Sequence, residues 1–170
     1  MINENVLTQA EKVILKLRSL YAEAGYSPYK MSKFEEYDFY VKNKDFLMSE
    51  DVITFNDTNG KLLALKPDVT LSIIKNCKNG SEDRIQRIYY NENVYRVSET
   101  TRAYREIMQT GLECFGEIGV LERVEVMRLA AMSLQSISKD FVLEISHMGI
   151  LGGLLGIAGG SDEFNEEIYG

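Results

Sequence analysis

Arg105, Gln109 and Glu113 recur at even spacings in the stretch "YREIMQTGLECFG", and Gly111 stands between the last two. Side chains alternate faces along a strand, so Arg105, Ile107, Gln109, Gly111, Glu113 and Phe115 would share one face. Glu106, Met108, Thr110, Leu112 and Cys114 would share the other, whose apolar middle suits packing against helices. Gln109 and Glu113 would then lie about 13 Å apart, at roughly 3.3 Å per residue. Gly111 between them leaves bare backbone on which a ligand could rest. A hairpin closed at residues 99–103 would bring Arg96 towards the same face. The planar fork of an arginine matches a carboxylate or other planar anion, and a glutamate suits an ammonium group. Together they have the chemistry of a zwitterion pocket. Charged residues alternating on a strand also describe a wetted face with cross-strand Arg–Glu pairs. Spacing alone favours the wetted face.

Elsewhere the chemistry is sparser. Asp68 and Thr70 follow Pro67, and all three suit the first turn of a helix, where a missing N–H is harmless and a carboxylate is favoured. Their first reading is therefore structural. His147 is the sole histidine and has no serine, cysteine or aspartate partner at a catalytic spacing, so it reads as structural. Cys77 and Cys114 match no zinc or redox spacing. The sequence offers no catalytic triad, phosphate loop, metal cluster or cofactor motif.

These residues need elements to hold them. Apolar residues at helical spacing predict a helix over 5–24, stopped at Gly25. Residues 25–43 read as a short extended segment followed by a loop or short helix. "VITFNDTNGKLLAL" reads as a hairpin turning at Asn59-Gly60, followed by a helix over 67–76. "RIQRIYY" and "VYRVSE" read as two strands about a turn at "NENV", with a long strand over 104–116 behind them. A second long helix covers 120–137, with Leu121, Val124, Met127, Ala131 and Leu134 as its buried stripe. A strand "FVLEIS" and a helix-like "HMGILGGLLGIA" follow. The pattern is α+β, helices flanking an antiparallel sheet.

The chain has 170 residues, 45% hydrophobic and 26% charged, which suits one compact soluble domain. Its longest apolar-leaning run is glycine-broken and too short to span a bilayer. The N-terminal residues carry acidic groups and no apolar signal core, so the expected location is cytoplasmic. A net charge of −7 argues against gripping a nucleic-acid backbone through charge. The acidic residues 159–170 close no recognisable element. The expectation is one domain over 1–170, truncated at its C-terminal end.

Three blocks, "FNDTNGKLLALKPDVT", "RIYYNENVYR" and "YREIMQTGLECFG", followed in order by "FVLEISHMGILGGLL", together resemble the histidyl-tRNA synthetase-like branch of the class II aminoacyl-tRNA synthetase fold. The resemblance runs from about residue 10 onward, and the order and spacing of the blocks make it specific. It implies a class II antiparallel sheet flanked by helices. It also implies that Asp68 and Thr70 fall on the pair lining a histidine pocket, with Asp68 in place of the usual glutamate. Arg96 falls on the arginine of the second signature motif, and Gln109 and Glu113 on the polar residues of the next strand. Arg105 is a further candidate anion contact. The aromatic segment "YSPYKMSKFEEYDFY" takes the place of the first signature motif, which implies self-association as a dimer.

The departures point one way. Two residues after Arg96, where a working synthetase carries a glutamate that reads the adenine of ATP, stands Ser98, and Glu99 would face the other side. Within the branch, the blocks look closest to regulatory paralogues that partner a short-form ATP phosphoribosyltransferase catalytic subunit in histidine biosynthesis. The resemblance thus implies a non-catalytic subunit with histidine as ligand and no cofactor. Its rivals are a divergent histidyl-tRNA synthetase or other ATP-dependent amino-acid-activating enzyme, and a binding module that keeps only the fold.

Overall fold

The computed structural model describes residues 4–42, 52–77, 85–98 and 100–158. A 3₁₀ turn at Glu4–Val6 leads into helix α1, Gln9–Glu23, which starts four residues later than the apolar spacing predicts. Thr8 explains the delay. Its hydroxyl accepts from Glu11 N at 3.3 Å while Glu11 Oε2 accepts from Thr8 N at 2.7 Å, a capping box that fixes the first turn. Gly25, at φ +85°, ends the helix as expected, in a conformation that L side chains resist.

Residues 27–41 supply β1 (Ser27–Pro28), β2 (Phe34–Glu36) and the short helix α2 (Tyr37–Val41). The hairpin at Asn59-Gly60 forms between β3 (Thr54–Asn56) and β4 (Leu62–Leu65). Asp57 Oδ1 organises its turn by accepting from the N–H groups of Asn59 and Lys61, both at 2.8 Å. Helix α3 spans Val69–Cys77, so Pro67 precedes the helix instead of opening it.

The central element corrects the sequence reading. β5 runs unbroken from Gln86 to Val97 and pairs antiparallel along its whole length with β6, Tyr104–Phe115. The expected turn at "NENV" does not form, because its polar side chains are served across the ladder. Thr110 Oγ1 donates to Asn91 Oδ1 at 2.8 Å, and Asn93 Nδ2 donates to Glu106 Oε1 at 2.6 Å.

Helix α4 spans Val120–Ile137 and α5 Met148–Ala158. The buried stripe of α4 is rotated from the expected one: Leu129 is buried, whereas Leu121 and Val124 are 81% and 52% exposed. The inward face joins Leu129, in the core with Leu17 and Tyr21, to two glutamates. Glu122 and Glu125 turn inwards to Arg87 of β5, at 3.5 and 2.9 Å. The expected strand "FVLEIS" is also absent. Residues 141–147 have no regular structure, and β6 pairs only with β5 among the described residues, so no ladder reaches them.

Two three-stranded sheets result, ordered β1-β5-β6 and β2-β4-β3. One core joins Leu17, Tyr21, Tyr26, Tyr89 and Leu129, with Leu112 and Cys114 against it. This is the side on which α1 and α4 cover the main sheet, as the alternation of β6 requires. A second core joins Val69, Ile73, Ile88 and Val94, with Tyr90 and Phe115 against it. There α3 lies on the opposite face, the one that carries Glu113.

Candidate functional site

The site forms where the start of α3 meets the long hairpin. Asp68 works first as a helix cap: its Oδ1 accepts from Leu71 N at 3.1 Å, one of the exposed amides of a helix start. Its second oxygen stays free of that duty and lies 3.8 Å from Arg96 Nη2. Arg96 Nε donates to the Pro67 carbonyl at 2.9 Å. That neutral bond holds the guanidinium in place, since a half-exposed pair at that distance contributes little by itself.

In the first turn of the helix, Thr70 Oγ1 donates to Glu113 Oε1 at 2.7 Å. Glu113 is half-buried on the strand face beneath α3. Burial pushes its carboxyl up from the ordinary 4.5, the charge of Asp68 adds to this, and the Thr70 bond opposes both. Withdrawal from water disfavours the charged form, and only a bond to that form restores it. Glu113 is thus a carboxylate held short of partners, ready to be stabilised by an incoming cationic group.

The hairpin register places the remaining candidates. Arg96 pairs with Arg105, Glu92 with Gln109, Tyr90 with Gly111 and Ile88 with Glu113, so all lie on one face, as alternation predicts. The start of α3 contacts this face at two points, Asp68 with Arg96 and Thr70 with Glu113. Gln109 lies further along the face, opposite Glu92. Arg105 stands opposite Arg96 at the exposed end, a placement of like charges that is unfavourable by itself.

Gly111 is not bare. The Tyr90 ring lies across it, and a Cβ built on Gly111 would meet the phenol oxygen at 2.6 Å. Aromatic residues cover glycines on neighbouring strands in this way, so a phenol, not bare backbone, lies on this face. Burial pushes that phenol up to about 12, helped by the charges of Glu113 and Asp68. Sequence reasoning missed Tyr90 because it placed a turn at "NENV"; with β5 continuous, pairing from the 99–103 turn sets Tyr90 opposite Gly111. It also missed Lys66, which is fully buried and donates to Glu92 Oε2 at 3.1 Å.

Ser98 closes the hairpin. Its N–H donates to the Ala103 carbonyl at 2.9 Å, its carbonyl accepts from Arg102 N at 2.8 Å, and its hydroxyl accepts from Thr101 N at 3.4 Å. Its polar atoms serve the turn. Glu99 lies outside the described residues, as do residues 159–170 and the side chain of Cys77. Among the described residues there is no group of three or more histidine, cysteine, aspartate or glutamate side chains placed to hold a metal. No helix among them is long and apolar enough to cross a membrane.

Known proteins resemble this chain in sequence and fold. An ATP phosphoribosyltransferase regulatory subunit from Oceanobacillus iheyensis is 30% identical over 98% of this chain, which spans 41% of that relative's length. A histidine–tRNA ligase subunit from Alicyclobacillus acidocaldarius is 29% identical, with a TM-score of 0.62 over 74% of this chain and 37% of its own. An ATP phosphoribosyltransferase complex from Thermotoga maritima contains a chain of the same fold, 22% identical, with a TM-score of 0.67 over 92% of this chain and 53% of its own. The family model described as histidyl-tRNA synthetase matches residues 2–170. This chain belongs to the histidyl-tRNA synthetase family.

Proposed function

We propose that this chain is the synthetase-like part of a regulatory subunit of ATP phosphoribosyltransferase. In this reading it does no chemistry, binds histidine, and passes histidine sensitivity to a short-form catalytic subunit that joins ATP to phosphoribosyl pyrophosphate. The relatives named as regulatory subunits support it, although this chain spans less than half of their length. The observation that carries it is a contrast within one hairpin. At the end proposed for the amino acid, Asp68 caps α3 and Thr70 donates to Glu113. At the nucleotide end, Ser98 replaces the expected carboxylate and is occupied with the turn.

In the pocket, the ammonium group of histidine is taken by Glu113, with the Asp68 carboxylate, shared with Arg96, adding negative charge nearby. Its carboxylate faces Arg96, and Gln109 lies along the same face for the imidazole. Adenylation needs a group that fixes the base of ATP, and a hydroxyl already bound within its own turn does not replace a carboxylate acceptor.

Histidine-dependent pyrophosphate exchange by the full-length protein separates this reading from its enzymatic rival. The expected result is no exchange above background; clear exchange would establish a divergent synthetase and end the regulatory reading. Co-purification with a short-form catalytic subunit is the companion measurement, and failure to form that complex would leave only a binding module.

A further inference from the structure

Lys66 carries a charge that the Glu113 site does not use. It is fully buried and donates to Glu92 Oε2 at 3.1 Å. Withdrawing an ammonium from water is costly, and an apolar side chain of similar volume is often no less stable in such a place. Stability alone is therefore a poor reason for a lysine here, whereas its place in the chain supplies one. Lys66 stands where the chain passes from one sheet to the other, directly after Leu65, the end of β4 in the small sheet. Its N–H donates to the Lys33 carbonyl at 3.0 Å, and its carbonyl accepts from Tyr95 N of β5 at 2.9 Å. Pro67 has no N–H to give, and its carbonyl accepts from Arg96 Nε at 2.9 Å.

Those two anchors on the main sheet lie side by side at Tyr95 and Arg96, which leaves the segment free to pivot about one end of β5. The Lys66 side chain adds the anchor that stops the pivot. Glu92 lies about 10 Å from Tyr95 along the strand, at roughly 3.3 Å per residue, in the direction of Ile88, which pairs with Glu113. Val69 and Ile73 also pack on Ile88 and Val94, but apolar burial is non-directional and leaves the register open. A buried ion pair has direction, and fixing register is its best-attested use. We propose that Lys66, held by Glu92, is a positioning residue of the Glu113 site. It sets the line along β5 on which the next residues follow, and so brings Asp68 onto Arg96 and Thr70 onto Glu113. Lys66 itself reaches no ligand; it acts through Thr70. Its effect on histidine rests on the reading of the site given above, whereas its effect on Glu113 does not.

Lys66→Met tests this in the full-length protein, with the Glu113 carboxyl followed by NMR titration and histidine by calorimetry. Burial raises that carboxyl and the Thr70 bond opposes the rise. Slackening the bond should therefore let Glu113 titrate at higher pH, as Thr70→Val should by removing it outright. Histidine should bind roughly tenfold more weakly, the loss of one hydrogen bond to a charged group. Adding Lys66→Met to Thr70→Val should move Glu113 little further, since the two act through one bond. Glu92→Gln, which keeps the shape of the acceptor and loosens the same anchor, should move Glu113 in the same direction, and it decides the matter if Lys66→Met does not fold. A folded variant of either kind with native Glu113 titration would overturn the proposal. Shifts that add in full would do the same, because Lys66 would then be only a distant charge. A native protein that binds no histidine, but whose Glu113 responds to Lys66→Met as expected, would end the histidine reading and leave the positioning role supported.

Discussion

At the scale of single residues, Glu113 is the most informative group. Its folded-state pKa lies above the ordinary 4.5 because burial opposes its charge. The folded protein therefore holds this proton more tightly than the unfolded chain does. Stability from this group is fully present below the unfolded pKa and is lost as pH rises through the folded one. Glu113→Gln should flatten that part of the stability–pH curve, measured by thermal melts across the acid range; a curve that keeps its slope would place the titration elsewhere. Ligand binding has the opposite sign. An ammonium group needs the carboxylate charged, so histidine affinity should rise as pH passes upward through the same pKa, and calorimetry on Glu113→Gln should lose that rise. Gly111 gives the complementary test of shape. A methyl there would meet the Tyr90 oxygen at 2.6 Å, so Gly111→Ala should cost about 1–3 kcal/mol, as overpacking does. Trimming the ring with Tyr90→Ala should remove most of that cost in a double-mutant cycle. Additive losses would mean that the two residues do not meet.

At the scale of elements, legibility divides by what sets each boundary. α1, α3, α4, the Asn59-Gly60 hairpin and the long β6 were readable because periodicity, caps and turn residues are local. The site face was readable because alternation is local too: Arg96, Gln109 and Glu113 share a face wherever the sheet lies. What stayed hidden was cross-strand satisfaction. "NENV" looks like a turn until Thr110 and Glu106 are known to bond Asn91 and Asn93. The stripe of α4 is misread for the same reason, since inward glutamates make sense only once Arg87 is opposite. "FVLEIS" has strand composition, but a strand exists only with a partner. Buried charge at Lys66 follows this rule and yields a prediction. Lys66 is fully buried with Glu92 as its partner, whereas Glu92 keeps 11% of its side chain exposed and has Lys30 at 3.6 Å as a second cation. Glu92→Ala should therefore cost about 3–5 kcal/mol, the penalty of a stranded buried charge. Lys66→Met should cost clearly less. Denaturant melts that rank the two the other way would show that the ammonium reaches water.

At the scale of the whole molecule, the proposed role turns on whether histidine bound at the Glu113 pocket is felt by a partner. Regulation of that kind is a coupling free energy, typically about 1–3 kcal/mol, and it is reciprocal for binding. If histidine at this pocket disfavours the catalytic subunit's substrate-bound state, those substrates must weaken histidine binding here by the same factor, roughly 5- to 150-fold. The structural carrier for that coupling is α3, whose start holds Asp68 and Thr70 and whose Val69 and Ile73 pack with Ile88, Val94 and Tyr90 of the main sheet. The measurement is histidine calorimetry on the assembled complex with and without phosphoribosyl pyrophosphate and ATP, repeated with Glu113→Gln. The expected outcome is a substrate-dependent loss of affinity in the native complex. The variant complex should keep its catalytic rate and lose its inhibition by histidine. Inhibition that survives Glu113→Gln unchanged would move the effector to the contact between subunits and leave the synthetase-like pocket without a regulatory part.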